Sequence, residues 1–268
     1  MEEDAVPNSR QDAELLLSFE LGCSRSYVLA HYQDELEMNH QQDFLSLIEE
    51  RRRRKPLQHI LGHQEFYGLD FEVTPDVLIP RYETELLVEE VLNLLPMAGP
   101  IVVDVGTGSG CIAISLAARL PSARVWATDL SEAALQIARK NAARHDVLSK
   151  IQFVQGDLLE PLQSLKGEID CIVSNPPYVA ESDLPGLQRE VRDWEPRLAL
   201  SGGQQGLKIY LRLIPQALNY LRPHGYLVVE IGYNMAGSIQ ALFDSQWIFE
   251  GIRQDLSGIP RALVARKK

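Results

Sequence analysis

The sequence predicts an α/β protein, a mostly parallel sheet with helices on both faces, preceded by a small helical unit. Three observations predict it. From Ile101 onward, short apolar runs alternate with amphipathic stretches in the order strand, loop, helix. A glycine-rich turn, Asp104-Val105-Gly106-Thr107-Gly108-Ser109-Gly110-Cys111, joins the first strand to its helix. A proline-stiffened string, Ser174-Asn175-Pro176-Pro177-Tyr178, follows a later strand. Its two prolines cannot continue a ladder, because neither has an N–H to donate.

Taken in order, residues 11 to about 60 read as helical. Ala13, Leu15, Leu16, Leu17, Phe19 and Leu21 run up to Gly22, a helix stop. Ser24 opens a second short helix, and Phe44, Leu45, Leu47 and Ile48 mark a third that runs into Arg51-Arg52-Arg53-Arg54-Lys55 and ends at Pro56. That basic run is expected to be a water-facing helix C-terminus that complements the dipole. Gripping an acidic or RNA-associated partner is the alternative. Residues 63–79 alternate around Gly68 as a hairpin, and Thr84-Glu85 opens a helix. Strands follow at 101–105, 123–128, 151–154, 169–174 and 226–231, with helices at 112–120, 132–145 and 209–221. Segments 247–253 and 262–265 pair as a final antiparallel hairpin.

Composition bounds the function. The chain has 268 residues, 45% hydrophobic and 24% charged, enough for one good core and a smaller unit. A formal net charge of -11 disfavours a phosphate backbone as the main partner. Cys23, Cys111 and Cys171 are odd in number and widely spaced, so they read as free thiols of a reducing compartment rather than a disulfide frame or metal site. The acidic start Met1-Glu2-Glu3-Asp4 has no apolar leader, and no apolar run approaches the ~20 residues that span a bilayer. A cytoplasmic protein with no membrane partner and no metal is expected.

The string after the strand at 169–174 carries the chemistry. An Asn side-chain oxygen and a backbone carbonyl are both acceptors. Asn175 and the Pro176 carbonyl would together hold the two N–H bonds of a planar amide or exocyclic amine. Pro177 keeps the chain stiff, and the Tyr178 ring would pack on the flat group. A plain proline-rich turn is the competing reading. The string's place after a strand, downstream of a glycine-rich loop, favours recognition, because ligands of open α/β sheets bind at that end.

In the loop, Gly106, Gly108 and Gly110 allow a sharp turn and close ligand approach, and the following helix offers free N–H groups. Asp129 closes the second strand, about the ~20 residues on that a ribose-binding carboxylate requires. Gly108, Gly110 and Ala113 also satisfy the dinucleotide pattern, so an NAD-dependent oxidoreductase is a rival. Against it, Asp104 would repel a pyrophosphate and attract an ammonium or sulfonium, and the string has no evident role in hydride transfer. Asp157, in Gln155-Gly156-Asp157-Leu158, is placed either to accept from an adenine amino group or to serve as a loop acid.

Together these residues resemble a class I S-adenosylmethionine-dependent methyltransferase of the amino-methylating kind. More narrowly, nearly the whole chain resembles the PrmC/HemK family of release factor glutamine methyltransferases. The narrower likeness adds the helical N-terminal unit, Leu57-Gln58-His59-Ile60-Leu61-Gly62, Phe66-Tyr67-Gly68, Ile79-Pro80-Arg81-Tyr82-Glu83-Thr84-Glu85 and Asp255-Leu256-Ser257-Gly258-Ile259-Pro260-Arg261.

The resemblance implies a helical substrate-recognition domain over 1–62, a hairpin linker over 63–80, and a Rossmann-like seven-stranded domain over 81–268. It implies a monomer that transfers methyl from S-adenosylmethionine to the side-chain amide nitrogen (N5) of the glutamine in the Gly-Gly-Gln loop of peptide chain release factors. The cofactor would lie on Asp104, Gly106, Thr107, Gly108, Ser109, Gly110, Asp129, Asp157, Leu158 and Asn175. The glutamine would meet Asn175, Pro176, Pro177 and Tyr178, with Arg81 and Glu83 shaping its channel or forming a structural ion pair. An adenine-N6 methyltransferase acting on DNA or RNA uses the same amine-holding logic and is the alternative, as is a non-catalytic scaffold. The chain's own Gly202-Gly203-Gln204 reads as a loop before a helix, with self-methylation of Gln204 the alternative.

Overall fold

The computed structural model describes residues 6–95 and 99–268, so the acidic start at Met1-Glu2-Glu3-Asp4 lies outside the described residues. The chain forms two compact units. One comprises Met1–His63 with Leu187–Trp194, the other Gln64–Gly186 with Glu195–Lys268.

In the first unit, α1 (Ser9–Glu20), α2 (Arg25–Ala30), α3 (Met38–Arg52) and α4 (Leu57–Leu61) are short and explicitly terminated. Gly22 takes φ +60°, and the N–H groups of Gly22 and Cys23 return to the carbonyls of Phe19 and Ser18, closing the end of α1. The Ser24 hydroxyl then accepts from the Tyr27 N–H and starts α2.

The basic run is not the water-facing helix end expected of it. Arg51 is only 5% exposed. Its guanidinium donates to Asp12 at 2.7 Å and to Glu190 at 3.0 Å. Arg54, at φ +67°, grips both oxygens of Glu190 at 2.7 Å. Arg52 and Arg53 keep the expected local character, reaching back to Glu49, and Lys55 pairs with Glu50. The expectation fails because a one-dimensional run does not say which of its members turn inward. The residue that takes two of them inside, Glu190, lies far along the chain.

Strands β1 (His63–Phe66), which begins on the last residue of the first unit's leading segment, and β2 (Leu69–Glu72) form the hairpin that opens the second unit; its two turn residues, Tyr67 and Gly68, both take positive φ. Helix α5 (Glu85–Leu94) leads to a seven-stranded sheet. Its elements are β3 (Ile101–Val105), α6 (Cys111–Arg119), β4 (Arg124–Asp129), α7 (Glu132–Arg144), β5 (Ile151–Gln155) and β6 (Ile169–Ser174), then, beyond α8 (Arg189–Trp194) of the first unit, α9 (Arg197–Leu200), α10 (Tyr210–Tyr220), β7 (Leu221–Glu230), α11 (Ala236–Gln240), β8 (Trp247–Gln254) and β9 (Pro260–Lys267). The strand order is β5-β4-β3-β6-β7-β9-β8, parallel from β5 to β7, with β9 antiparallel to both of its neighbours.

Central β3 is buried along its whole length and β6 along nearly all of it, which is why both read as near-continuous apolar runs. Two apolar layers fill the two faces of the sheet. One gathers Val102, Ile114, Leu116 and Leu87; the other gathers Val103, Ile172, Leu213 and Tyr210. Among the described residues no helix is long and apolar enough to cross a membrane.

The topology positions the site. The chain moves outward from β3 to β4 and β5, then returns to the other side of β3 for β6. The carboxyl ends of β3 and β6 therefore flank the point where strand order reverses, the crevice position of open α/β sheets. Register makes the ends level: Val105 faces Thr128 and Ser174, and Ser174 faces Val229.

Candidate active site

A cavity of about 350 Å³ opens at that crevice. Gly106, Thr107, Gly108 and Ser109 form one wall, Asp129 and Ser131 the next, and Asp157, Leu158 and Arg212 a third. Asn175, Pro176 and Pro177 line the cavity as well, with Thr84 and Arg81.

The loop wall is held in shape by its own polar groups. The N–H groups of Gly106 and Thr107 both donate to the Thr128 carbonyl, and the Gly108 N–H donates to Asp129 Oδ2 at 2.9 Å. Asp129 Oδ1 accepts from the Ser131 N–H at 2.9 Å. Burial nevertheless raises the Asp129 carboxyl above its ordinary range. Each carboxylate oxygen has a second lone pair for a ligand hydroxyl.

Asp104 does not line the cavity. It is fully buried beneath the loop, where Oδ2 accepts from the Thr107 hydroxyl at 2.6 Å and the Ala113 N–H at 3.2 Å. Burial lifts its pKa to about 7, which weakens the electrostatic attraction expected of it. Gly110 is also absent from the cavity wall. A Cβ there would sit 2.8 Å from Ile114 and 3.1 Å from Ala138, so this glycine lets α6 approach α7. Sequence reading missed Asn141 of α7. Fully buried, it donates to the Ser109 carbonyl and exchanges two hydrogen bonds with the Glu72 backbone, tying loop to hairpin.

At the third wall Asp157 is paired with Arg212 at 2.7 Å, and Leu158 takes φ +52°, a strained value for a non-glycine residue. The strain presents this backbone and side chain at the cavity, a signal no sequence pattern carries.

On the last wall, the Asn175 carboxamide nitrogen donates to the Thr84 hydroxyl at 3.0 Å. Thr84 in turn donates to Glu230 Oε2 at 2.6 Å. With its –NH2 engaged, Asn175 keeps its oxygen to accept from a ligand. Tyr178 takes a different place from the one expected, for it is not among the residues lining the cavity. Its hydroxyl donates to Glu230 Oε1 at 3.3 Å, and its ring lies beside Gly232, where a Cβ would come within 2.9 Å. Burial raises the Tyr178 phenol well above its usual range and raises Glu230 to about 7.

Arg81 and Glu83 do not pair with each other. Arg81 donates to buried Glu195 at 2.6 Å, while exposed Glu83 lies 3.7 Å from Arg261 and off the cavity wall. The segment holding Gly202-Gly203-Gln204 buttresses the string: Gly202 donates to the Val179 carbonyl, and a Cβ on Gly206 would collide with the Tyr178 carbonyl. Gln204 itself is exposed.

Comparison with known proteins separates the readings. The family model "PrmC N-terminal domain" matches residues 1–62, and "Methyltransferase small domain" matches residues 82–190. The chain is 45% identical over 263 residues to the release factor glutamine methyltransferase of Koribacter versatilis, covering 98% of this chain and 92% of that one. The chain belongs to the release factor glutamine methyltransferase family. A relative of the same description from Geobacter sulfurreducens is 43% identical over 265 residues, covering 98% and 92% of the two chains. Among solved structures, a methyltransferase from Pyrococcus furiosus superposes with a TM-score of 0.55 at 19% identity, over 75% of this chain and 90% of that one, a likeness of fold. Family membership makes the chain a methyltransferase of the class I fold and sets aside the oxidoreductase and scaffold readings.

Proposed function

We propose that the protein transfers a methyl group from S-adenosylmethionine to the side-chain amide nitrogen (N5) of the glutamine in the Gly-Gly-Gln motif of peptide chain release factors. The observation that carries this reading is the orientation of Asn175. Its nitrogen is spent on Thr84, so an acceptor oxygen remains beside Pro176 in the cavity that the glycine-rich loop also lines.

The wall formed by Gly106, Thr107, Gly108, Ser109, Asp129, Asp157 and Leu158 fits the cofactor. Its glycines leave open space where a Cβ would stand at Gly106 and Gly108, and Asp129 keeps acceptor capacity for hydroxyls. Bound there, S-adenosylmethionine supplies an electrophilic methyl on a sulfonium. Asp104 shapes that wall from beneath, and Gly110 sets the helix behind it.

The substrate side belongs to Asn175 and Pro176. An amide nitrogen is a poor nucleophile because its lone pair is shared with its carbonyl. The Asn175 oxygen and the Pro176 carbonyl accept its two N–H bonds, fix its plane and stabilise the positive charge that grows on nitrogen during transfer. No base is required before attack, since the methylated nitrogen is strongly acidic until it loses a proton. Pro177 stiffens the string, and Tyr178 anchors it to Glu230. Arg81, held by Glu195, borders the channel. Supporting a release factor as substrate are the two relatives whose names state that activity and the coverage of nearly the full length of each chain.

The test is incubation with isotopically labelled S-adenosylmethionine and a release factor, followed by peptide mapping. The label is expected on the amide nitrogen of the Gly-Gly-Gln glutamine, with none on the Gln204 peptide. Label on another residue, or on added DNA or RNA in preference to the protein, overturns the reading.

A further inference from the structure

Asn175 sits between two very different surroundings, and a carboxamide has no intrinsic preference for which end faces which. Its oxygen and nitrogen have nearly the same shape, so only partners decide the orientation. On one side is the cavity. On the other is the Thr84 hydroxyl, which has a single proton to give.

That proton is committed. Thr84 is 2% exposed and donates to Glu230 Oε2 at 2.6 Å, leaving its lone pair to receive the Asn175 N–H at 3.0 Å. The Glu230 carboxyl, also 2% exposed, receives the Tyr178 hydroxyl on its other oxygen at 3.3 Å. The Glu230 backbone is pinned by the Tyr210 hydroxyl, which donates to its carbonyl at 2.6 Å. Sheet register brings the relay together: Ser174 faces Val229, so Asn175 and Glu230 leave adjacent strands at the same level.

We infer that Thr84 and Glu230 are positioning residues for methyl transfer, a hydrogen-bond relay that locks Asn175 with its oxygen toward the cavity and polarises that oxygen as an acceptor. The inference rests on the proposed role of Asn175. A carboxylate accepting from Thr84 makes Thr84 a better acceptor for the Asn175 N–H, and each bond in such a chain strengthens the next. The same chain enlarges the negative charge on the Asn175 oxygen, where positive charge is expected to approach in the transition state. Without the hydroxyl, the carboxamide is free to turn its –NH2 into the cavity, which replaces an acceptor by two donors facing a donor.

The experiment compares Thr84→Val, Thr84→Ser, Thr84→Ala and Asn175→Ala, with steady-state kinetics on a release factor, calorimetric titration with S-adenosylmethionine and thermal melts. Valine keeps the shape and removes the hydroxyl; serine keeps the hydroxyl. Thr84→Val is expected to lower kcat roughly 30-fold, the size of a lost transition-state contact of about 2 kcal/mol. KM for the release factor and cofactor affinity should stay within about 3-fold, and Thr84→Ser should restore kcat to within about 3-fold of the native value. Thr84→Ala should match Thr84→Val and stands in for it if valine impairs folding. Native kcat in both Thr84→Val and Thr84→Ala, with Asn175→Ala inactive, overturns the relay and leaves the functional reading standing. A fall in cofactor affinity that accounts for the lost rate also overturns it, because Thr84 would then act on the cofactor. Full turnover by Asn175→Ala removes the functional reading and the relay together.

Discussion

Two buried glutamates show how the same side chain takes opposite roles in this molecule. Glu190, in the helical unit, is held by Arg54 through both oxygens and by Arg51 through one. Burial pushes its carboxyl up, but the guanidinium hydrogen bonds outweigh that and hold it below the ordinary range. Glu230, in the sheet unit, is met at its carboxyl oxygens by two neutral hydroxyls, those of Thr84 and Tyr178. Burial dominates there and lifts it to about 7. A carboxylate closed by cations is a structural fastener. One met by neutral donors is governed by its burial, even with the Arg261 charge acting against that rise, and in this fold it stands behind the Asn175 carboxamide.

The sharpest way to break that contrast is to neutralise each glutamate in turn. Glu190→Gln removes the carboxylate that Arg51 and Arg54 share, while Arg51 keeps Asp12, and is expected to cost about 3 kcal/mol. Chemical denaturation read by circular dichroism checks it. A loss under about 1 kcal/mol would show that the cluster contributes no more than a surface ion pair.

Glu230 has the opposite sign with pH. Its folded pKa lies above its unfolded value of 4.5. Between these values the native state holds a proton that the unfolded chain has released, so its contribution is full below about 4.5 and is lost as pH rises through about 7. Glu230→Gln should therefore gain stability relative to the native protein as pH rises from 5 to 8, by roughly 2–3 kcal/mol. Paired denaturant titrations across that range measure the difference. A pH-independent difference contradicts the raised pKa. Glu190 titrates the other way, contributing above its unfolded pKa and losing that contribution as pH falls.

The smallest effect should come from a carboxylate that is neither buried nor central. Asp157 and Arg212 form their pair with both side chains 37% exposed. Solvent screening leaves such a pair worth less than about 1 kcal/mol, so Arg212→Gln should leave the melting midpoint nearly unchanged. A large drop would mean that Arg212 holds the cavity wall together.

The parts of the site that lie within one short stretch of sequence were legible before the structure. The glycine-rich turn, Asp129 at a strand end and the two prolines after Asn175 each announce themselves through backbone chemistry. The seven strands follow from alternation and apolar runs, although β7 begins at Leu221, earlier than the apolar run suggests, and β9 extends past Ala265 to Lys267. What was not legible depends on register. Thr84, Asn175 and Glu230 are separated by 91 and 146 residues along the two hydrogen bonds that join them through Thr84, and only the parallel pairing of β6 with β7 makes two of them level. Glu190 and Asn141 were hidden for the same reason. A charge or amide on a helix looks solvated until its distant partner is known.

The most direct test of the central claim is a crystal structure with S-adenosylhomocysteine and a peptide carrying Gly-Gly-Gln. The peptide glutamine amide nitrogen is expected within ~3 Å of both the Asn175 Oδ1 and the Pro176 carbonyl oxygen, with the cofactor sulfur across the cavity on the glycine-loop side. A glutamine seated elsewhere, or an Asn175 whose –NH2 faces the peptide, would contradict it.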